Sequence, residues 1–128
     1  MAYYINKTIS ASFPDAVAKV KKALQEQGFG VLSEIDIRSK LKEKMNVDFR
    51  DYIILGACNP PFAYKALQAE DKIGTMLPCN VIVQGSGPGQ VEVAAVDPMA
   101  SMQAVDNAEL AGIAGEVRQK LQNVIGSL

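Results

Sequence analysis

The carboxyl-terminal segment of the chain has the most regular pattern of apolar side chains. Between residues 108 and 128 the apolar positions recur with the 3.6-residue period of an α-helix. They are Leu110, Ile113, Ala114, Val117, Leu121, Val124, Ile125 and Leu128. A helix with one apolar face must bury that face against a second layer of structure. The segment 108–127 is therefore predicted to be a helix that lies on a sheet.

The preceding residues alternate between strand patterns and helix patterns. Strands are predicted at 2–9, 29–35, 52–58, 79–84 and 91–95, and helices at 13–27, 37–45 and 60–70. This order, β-α-β-α-β-α-β-β-α, predicts the α+β class: a two-layer sandwich with a mixed sheet of about five strands and the helices mainly on one face. No linker or repeat divides the 128 residues, so residues 1–128 are expected to form a single domain.

Charge and residue usage exclude several classes of function. The 13 Lys and Arg residues nearly balance the 14 Asp and Glu residues, so no strong field attracts nucleic acid or an anionic membrane. The absence of His excludes a His-based catalytic triad and imidazole metal ligands. No apolar run approaches the ~18 residues of a membrane span, and the first residues lack a signal-peptide pattern. We expect a cytoplasmic protein with reduced thiols that binds neither nucleic acid nor membrane.

One strand and several tyrosines predict self-association. Residues 52–58 show no alternation of apolar and polar side chains, which favours a strand that is covered on both faces. Helices on one side of the sheet cover only one of these faces, and Tyr3, Tyr4 and Tyr52 indicate that the other is not uniformly polar. A second copy of the chain would cover it, so we expect a homodimer.

A glycine-rich segment at residues 85–89 invites comparison with phosphate-binding loops. The dinucleotide-binding pattern requires a further glycine where Gln90 stands, and no helix follows to hold an anion at its N-terminus. The segment is therefore predicted to be the turn of a β-hairpin.

Two carboxylates near the end of the second strand are candidates for acid–base chemistry. Glu34 and Asp36 lie two positions apart, so on an extended strand they share a face at a separation of ~6–7 Å. Asp36 also stands where the next helix begins, and an alternative interpretation makes it the cap of that helix and Glu34 a rim residue.

The two cysteines occupy strand ends. Cys58 directly precedes the helix start at Asn59-Pro60, where backbone N–H groups and the helix dipole favour a thiolate, and Cys79 opens the next strand. The alternative is that both are inert core residues, as free cysteines usually are. If the two strands run antiparallel, the thiols lie at one edge of the sheet, whereas parallel strands would separate them by ~17–20 Å.

Three stretches together resemble the family known as domain of unknown function 302. They are GFGVLSEIDI at 28–37, LGACNP at 55–60 and LPCNV at 77–81, and the segments FPDAV at 13–17 and VDP at 96–98 also fit. The resemblance covers nearly the whole chain. It implies a small α+β protein, found chiefly in bacteria and archaea, commonly dimeric and with no established activity. It also implies a site around Cys58-Asn59-Pro60 and Pro78-Cys79-Asn80.

Three functions are compatible with this candidate site. Its residues are Cys58, Asn59, Cys79, Asn80, Glu34 and Asp36. The first function is that of a small-ligand-binding or regulatory module, with a shallow pocket in which the asparagine amides orient the ligand. The second is thiol redox or sulfur transfer, with Cys58 as the activated thiol and Cys79 as its partner. The third is metal binding through both thiolates, for which a partner copy or a carboxylate must supply further ligands.

Overall fold

A computed structural model describes residues 2–128 as one five-stranded sheet with helices packed on it. The strands are β1 (Tyr4–Ser10), β2 (Gly30–Asp36), β3 (Tyr52–Cys58), β4 (Cys79–Gly87) and β5 (Gln90–Val96). The helices are α1 (Phe13–Glu26), α2 (Ile37–Met45), α3 (Pro60–Ala69), the short α4 (Pro98–Ser101) and α5 (Ala108–Gly126). A 3₁₀ turn at Ile73–Met76 precedes β4. The predicted α+β fold is confirmed, and α4 is an additional turn of helix where the sequence predicted only the end of a strand.

The strands are arranged in the order β1-β5-β4-β3-β2. Every neighbouring pair in this sheet is antiparallel, whereas the sequence predicted a mixed sheet. The connection between β3 and β4 explains the difference. It contains the 3₁₀ turn as well as α3, so the chain comes back to the end of the sheet from which it left. β1 and β2 form the two edges.

The hairpin turn predicted at residues 85–89 is confirmed by the backbone. Gly87 and Gly89 in the tight connection between β4 and β5 have φ angles of 139° and 68°, which L-residues with a side chain rarely adopt. Ser12 caps α1, because its Oγ accepts a hydrogen bond from the N–H of Asp15 at 3.3 Å.

The core lies between the sheet and the helices α1 and α5. Alternate residues of the central strands face the helices and are fully buried, as in Leu55, Val81 and Val93. From the helix layer, Leu24 of α1 and Leu121 of α5 are fully buried in the same cluster. The predicted packing of α5 on the sheet is thereby confirmed for Val117, Leu121 and Val124, whereas Leu110 packs in a second cluster with Ala66 and Ile73. None of the helices within residues 2–128 combines the length and the apolar character that crossing a membrane requires.

The opposite side of the sheet, which we call the open face, remains accessible. A groove of about 450 Å³ runs over it, lined by Tyr52, Ile82 and Ala94 among others. Tyr4 and Ile35 at its borders are each 42% exposed. A row of hydrogen bonds crosses the face: Arg50 donates to Gln84, and Gln84 and Asn6 both donate to Glu92, each at 2.8 Å.

Candidate functional site

A cavity of about 240 Å³ lies at the end of the sheet where β3 finishes and β4 begins. The strand ends contribute Ala57, Cys58 and Cys79, α3 contributes Phe62, Ala63 and Ala66, and α5 contributes Ile113, Ala114 and Val117. The remaining walls come from Phe29, Leu32, Asn59, Leu77, Pro78, Pro98 and Met102. Protein interiors are ordinarily packed without voids of this size. The cavity exists because alanines stand where α3 and α5 would otherwise fill the space between them.

The pairing of β3 and β4 brings the two cysteines to this cavity. Ala57 is opposite Cys79 and Gly56 is opposite Asn80, so the antiparallel alternative is correct and both thiols lie at one end of the sheet. Successive side chains on a strand point to opposite faces, so Cys58 and Cys79 start from opposite sides of the sheet. Because the two side chains point in opposite directions, a disulfide between them would require the backbone to move. Both cysteines are free.

The two thiols differ in their access to water. Cys79 is 8% exposed and packs in the core cluster, whereas Cys58 is half-buried. Burial, and to a smaller extent the negative charge of a Cys58 thiolate, raises the pKa of Cys79 from 9.0 to about 11. Cys79 is therefore a neutral thiol at neutral pH and not a nucleophile.

The helix start after Cys58 offers fewer hydrogen-bond donors than the sequence interpretation assumed. A helix normally has four free N–H groups at its start. Pro60 and Pro61 are the first two residues of α3 and have no N–H, and the N–H of Ala63 already donates to the Asn59 carbonyl at 2.9 Å. The expectation that several backbone donors stabilise a Cys58 thiolate is thus weakened, because the two prolines remove two of the four N–H groups that a helix start ordinarily leaves free.

Asn59 has a fixed orientation on the cavity wall. It occupies the cap position of α3 but makes no cap hydrogen bond through its side chain. Its Nδ2 instead donates to the backbone carbonyl of Gln27 at 3.2 Å. Gly28, with a φ of 84°, leaves room for this contact, since a Cβ there would lie only 3.3 Å from Nδ2. The side-chain Oδ1 of Asn59 accepts no hydrogen bond from residues 2–128.

The other three candidate residues lie elsewhere. Asn80 is exposed and lines the groove on the open face rather than the cavity. Glu34 forms an ion pair with Lys21 of α1 at 2.9 Å. Asp36 caps α2, accepting a hydrogen bond from the N–H of Ser39 at 3.0 Å, so the capping interpretation is confirmed. Within the described part of the chain, no group of three or more Cys, Asp or Glu side chains could hold a metal ion.

Most of the cavity wall was missed by the sequence analysis. Ala63 and Ala66 lie on the apolar face of α3, and nothing in the local sequence distinguishes a packing surface from a cavity wall there. Ala114 on α5 was likewise counted with the apolar face of its helix. Alanines on two helices that meet over one strand end indicate unfilled space. The sequence alone does not show this, because it does not show that α3 and α5 are neighbours.

An antiparallel five-stranded sheet with one helix-covered face and an uncharged cavity at one end defines a two-layer α+β protein with a candidate small-molecule site. Residues 5–128 match the sequence model of the family described as domain of unknown function DUF302, and the chain belongs to that family. A similar fold is found in the crystal structure of an uncharacterized conserved DUF302 protein from Bacillus stearothermophilus. The two chains are 24% identical, the TM-score is 0.91, and the match covers 98% of each. No curated protein matches the sequence.

Different burial of the two thiols predicts different reactivity. At neutral pH the thiolate fraction of Cys79 is about 100-fold below that of a thiol with pKa 9.0, and its burial slows it further. We expect iodoacetamide at pH 7.5 to label Cys58 in the folded protein at least ~100-fold faster than Cys79. Mass spectrometry of peptides over time measures both rates, and Cys58→Ser and Cys79→Ser identify each site. Equal rates in the folded protein would contradict the burial of Cys79.

Proposed function

We propose that the protein is a small-ligand-binding module and that its ligand occupies the cavity between α3, α5 and the ends of β3 and β4. The observation that carries this proposal is the cavity itself. It has room for a small molecule, its lining includes no charged side chain, and Cys58, Cys79 and Asn59 all line it. A shaped, mostly apolar space with few polar groups is typical of sites for small molecules.

The cost of an empty cavity supports this proposal. Cavities in protein cores destabilise by about 24 cal/mol per Å³, so 240 Å³ corresponds to an upper limit of roughly 6 kcal/mol if the space were sealed. Total stabilities of domains are about 5–15 kcal/mol. Larger side chains at Ala63 and Ala66 would remove much of that cost. The presence of small residues at both positions therefore supports an occupant that restores the lost contacts.

Binding can be tested with toluene and a variant in which the cavity is filled. We expect toluene at ten times its Kd to stabilise the protein by about 1.4 kcal/mol and to raise the melting temperature by a few degrees. Ala63→Leu adds three carbon atoms to the α3 wall and should abolish this shift. Ala18→Leu makes the same change on the exposed side of α1 and should keep it. No shift for the wild type with toluene or with other one-ring probes would contradict the proposal.

The alternatives that use both cysteines have less support. A two-thiol redox cycle requires a disulfide, which the opposite side-chain directions disfavour. A metal site would require ligands beyond two thiolates, and Glu34 and Asp36 are engaged in an ion pair and a helix cap. Thiol chemistry by Cys58 alone remains the second candidate, because Cys58 is half-buried and is one of the residues that line the cavity.

We further propose that a second copy of the chain covers the open face. Ile54, Ile82 and Ala94 are neighbours across β3, β4 and β5 on this face. The carboxylate of Glu92 in the same region accepts hydrogen bonds from Asn6 and Gln84, so its oxygens keep hydrogen-bond partners when a second copy covers the face. An isologous contact of this kind makes a closed dimer.

Light scattering tests the dimer at micromolar concentration. We expect twice the mass of one chain for the wild type and one chain for Ile82→Lys, which puts a charge into the proposed interface. Leu67→Lys, an equivalent change at an exposed position of α3, should remain dimeric. A wild-type mass of one chain would contradict this assembly.

A further inference from the structure

We infer that the cavity ligand is a neutral molecule about the size of one six-membered ring that donates one hydrogen bond to Oδ1 of Asn59. This inference rests on the proposed function and adds the chemical class of the ligand. It follows from three properties of the cavity: its volume, the absence of charge from its lining, and the fixed orientation of one buried amide.

The volume limits the ligand to a small molecule. An apolar cavity of about 150 Å³ accepts benzene. The 240 Å³ observed here therefore has room for one ring with one or two small substituents. A nucleotide or a coenzyme with several rings is too large, since sites for such ligands are typically well above 300 Å³.

The lining requires a neutral ligand. Apart from Asn59 and the two thiols, every side chain in the wall is a hydrocarbon or the thioether Met102. A carboxylate, phosphate or ammonium group in this space would have no counter-charge, and an unpaired buried charge costs far more than a small ligand gains by binding. The buried Cys79 thiol is itself neutral near pH 7, which is consistent with such surroundings.

Asn59 selects a hydrogen-bond donor. Its partner, the Gln27 carbonyl, can only accept, so the NH₂ end of the amide must face Gln27 and Oδ1 must face away from it. Asn59 as a residue is 8% exposed, and its Oδ1 has no partner among residues 2–128. No polar side-chain atom in this range is both sealed from solvent and unpartnered, so Oδ1 keeps some accessible surface. Since Asn59 lines the cavity, a hydroxyl or N–H group on the ligand is the complement that this oxygen lacks.

Phenol and toluene form a matched pair of probes for this inference. They are nearly equal in size, and only phenol has a donor. A hydroxyl buried without a partner would weaken phenol relative to toluene by roughly tenfold or more. With Oδ1 available as its acceptor, we expect phenol to bind within about threefold of toluene or more tightly, and benzoate not to bind at pH 7. Isothermal titration of the full chain measures all three affinities.

Asn59→Leu tests the residue directly. We expect this variant to bind phenol at least tenfold more weakly and toluene within about twofold of the wild type. Should the variant fail to fold, anisole provides the same comparison on the wild type, because it is phenol with its donor blocked by a methyl group. Anisole should then bind several-fold more weakly than phenol.

The outcomes separate the two proposals. Toluene binding more than tenfold tighter than phenol would overturn the hydrogen bond to Asn59 and leave the ligand-binding function intact. Benzoate binding as tightly as phenol would overturn the requirement for a neutral ligand. If neither toluene nor phenol binds, the proposed function itself fails.

Discussion

Replacing Leu121 by alanine is expected to lower the free energy of unfolding by about 2–5 kcal/mol, the range found for buried leucines. Leu121 is 0% exposed and belongs to the main core cluster, where α5 meets α1 and the sheet. Total stabilities of domains are only about 5–15 kcal/mol, so the loss is a large fraction of the whole. Urea unfolding followed by circular dichroism measures it as a lower midpoint with an unchanged slope.

Leu67→Ala is the matched control for this experiment. Leu67 lies on α3 and is 45% exposed, so its truncation should change the free energy of unfolding by less than about 0.5 kcal/mol. A midpoint for Leu121→Ala equal to that of the wild type would mean that α5 does not pack on the sheet through this residue.

The second large effect is a loss of stability at alkaline pH caused by Cys79. Its pKa is about 11 in the folded protein and 9.0 for an unperturbed thiol. The folded state therefore keeps a proton that the unfolded state releases, and alkaline pH favours the unfolded state. The stabilisation by the neutral thiol is complete below pH 9 and is lost as the pH rises toward 11. The loss is about 1.4 kcal/mol per pH unit within this window and up to about 2.7 kcal/mol in total.

Cys79→Val isolates this contribution from tyrosines and lysines, which also titrate in the same range. Valine is close in size to cysteine, suits a strand and does not ionise. Urea unfolding at pH 8, 9, 10 and 11 gives the free energy of unfolding of both proteins. Between pH 8 and pH 11 the wild type should lose about 2 kcal/mol or more relative to the variant. Parallel stability curves for the two proteins would show that Cys79 keeps an ordinary pKa in the folded state.

Local sequence patterns were sufficient to predict the elements but not the direction of every strand. The 3.6-residue period of apolar side chains was enough to define α5, because this period involves only residues that are close in the chain. The direction of β4 depends on how far the chain travels between Ala69 and Cys79. The turn at Ile73–Met76 determines this distance. Its apolar residues indicate that the turn is packed against the protein, but they do not indicate the direction in which the chain continues.

The candidate site was predicted in part for a similar reason. Cys58, Asn59 and Cys79 meet because two strand ends are adjacent, and their position next to strand ends is visible in the sequence. Glu34 and Asp36 are also near a strand end, but this is the end of β2 that lies farthest from Cys58, and their side chains serve an ion pair and a cap. The effect of Pro60 and Pro61 on the start of α3 could have been recognised from the sequence, because a proline without an N–H cannot stabilise a thiolate.

The edge position of β1 has a consequence for how the chain folds during synthesis. β1 is made first, yet its only partner is β5, with Ser10 opposite Gln90 and Tyr4 opposite Val96. β2 to β5 pair in order along the chain, so each can join its predecessor soon after it emerges from the ribosome. β1 must wait until residue 96 is available, and its docking closes the longest loop in the sheet at the largest entropic cost. Of the five strands, β1 is thus translated first and paired last. Until β1 docks, the nascent sheet exposes the unpaired edge of β5.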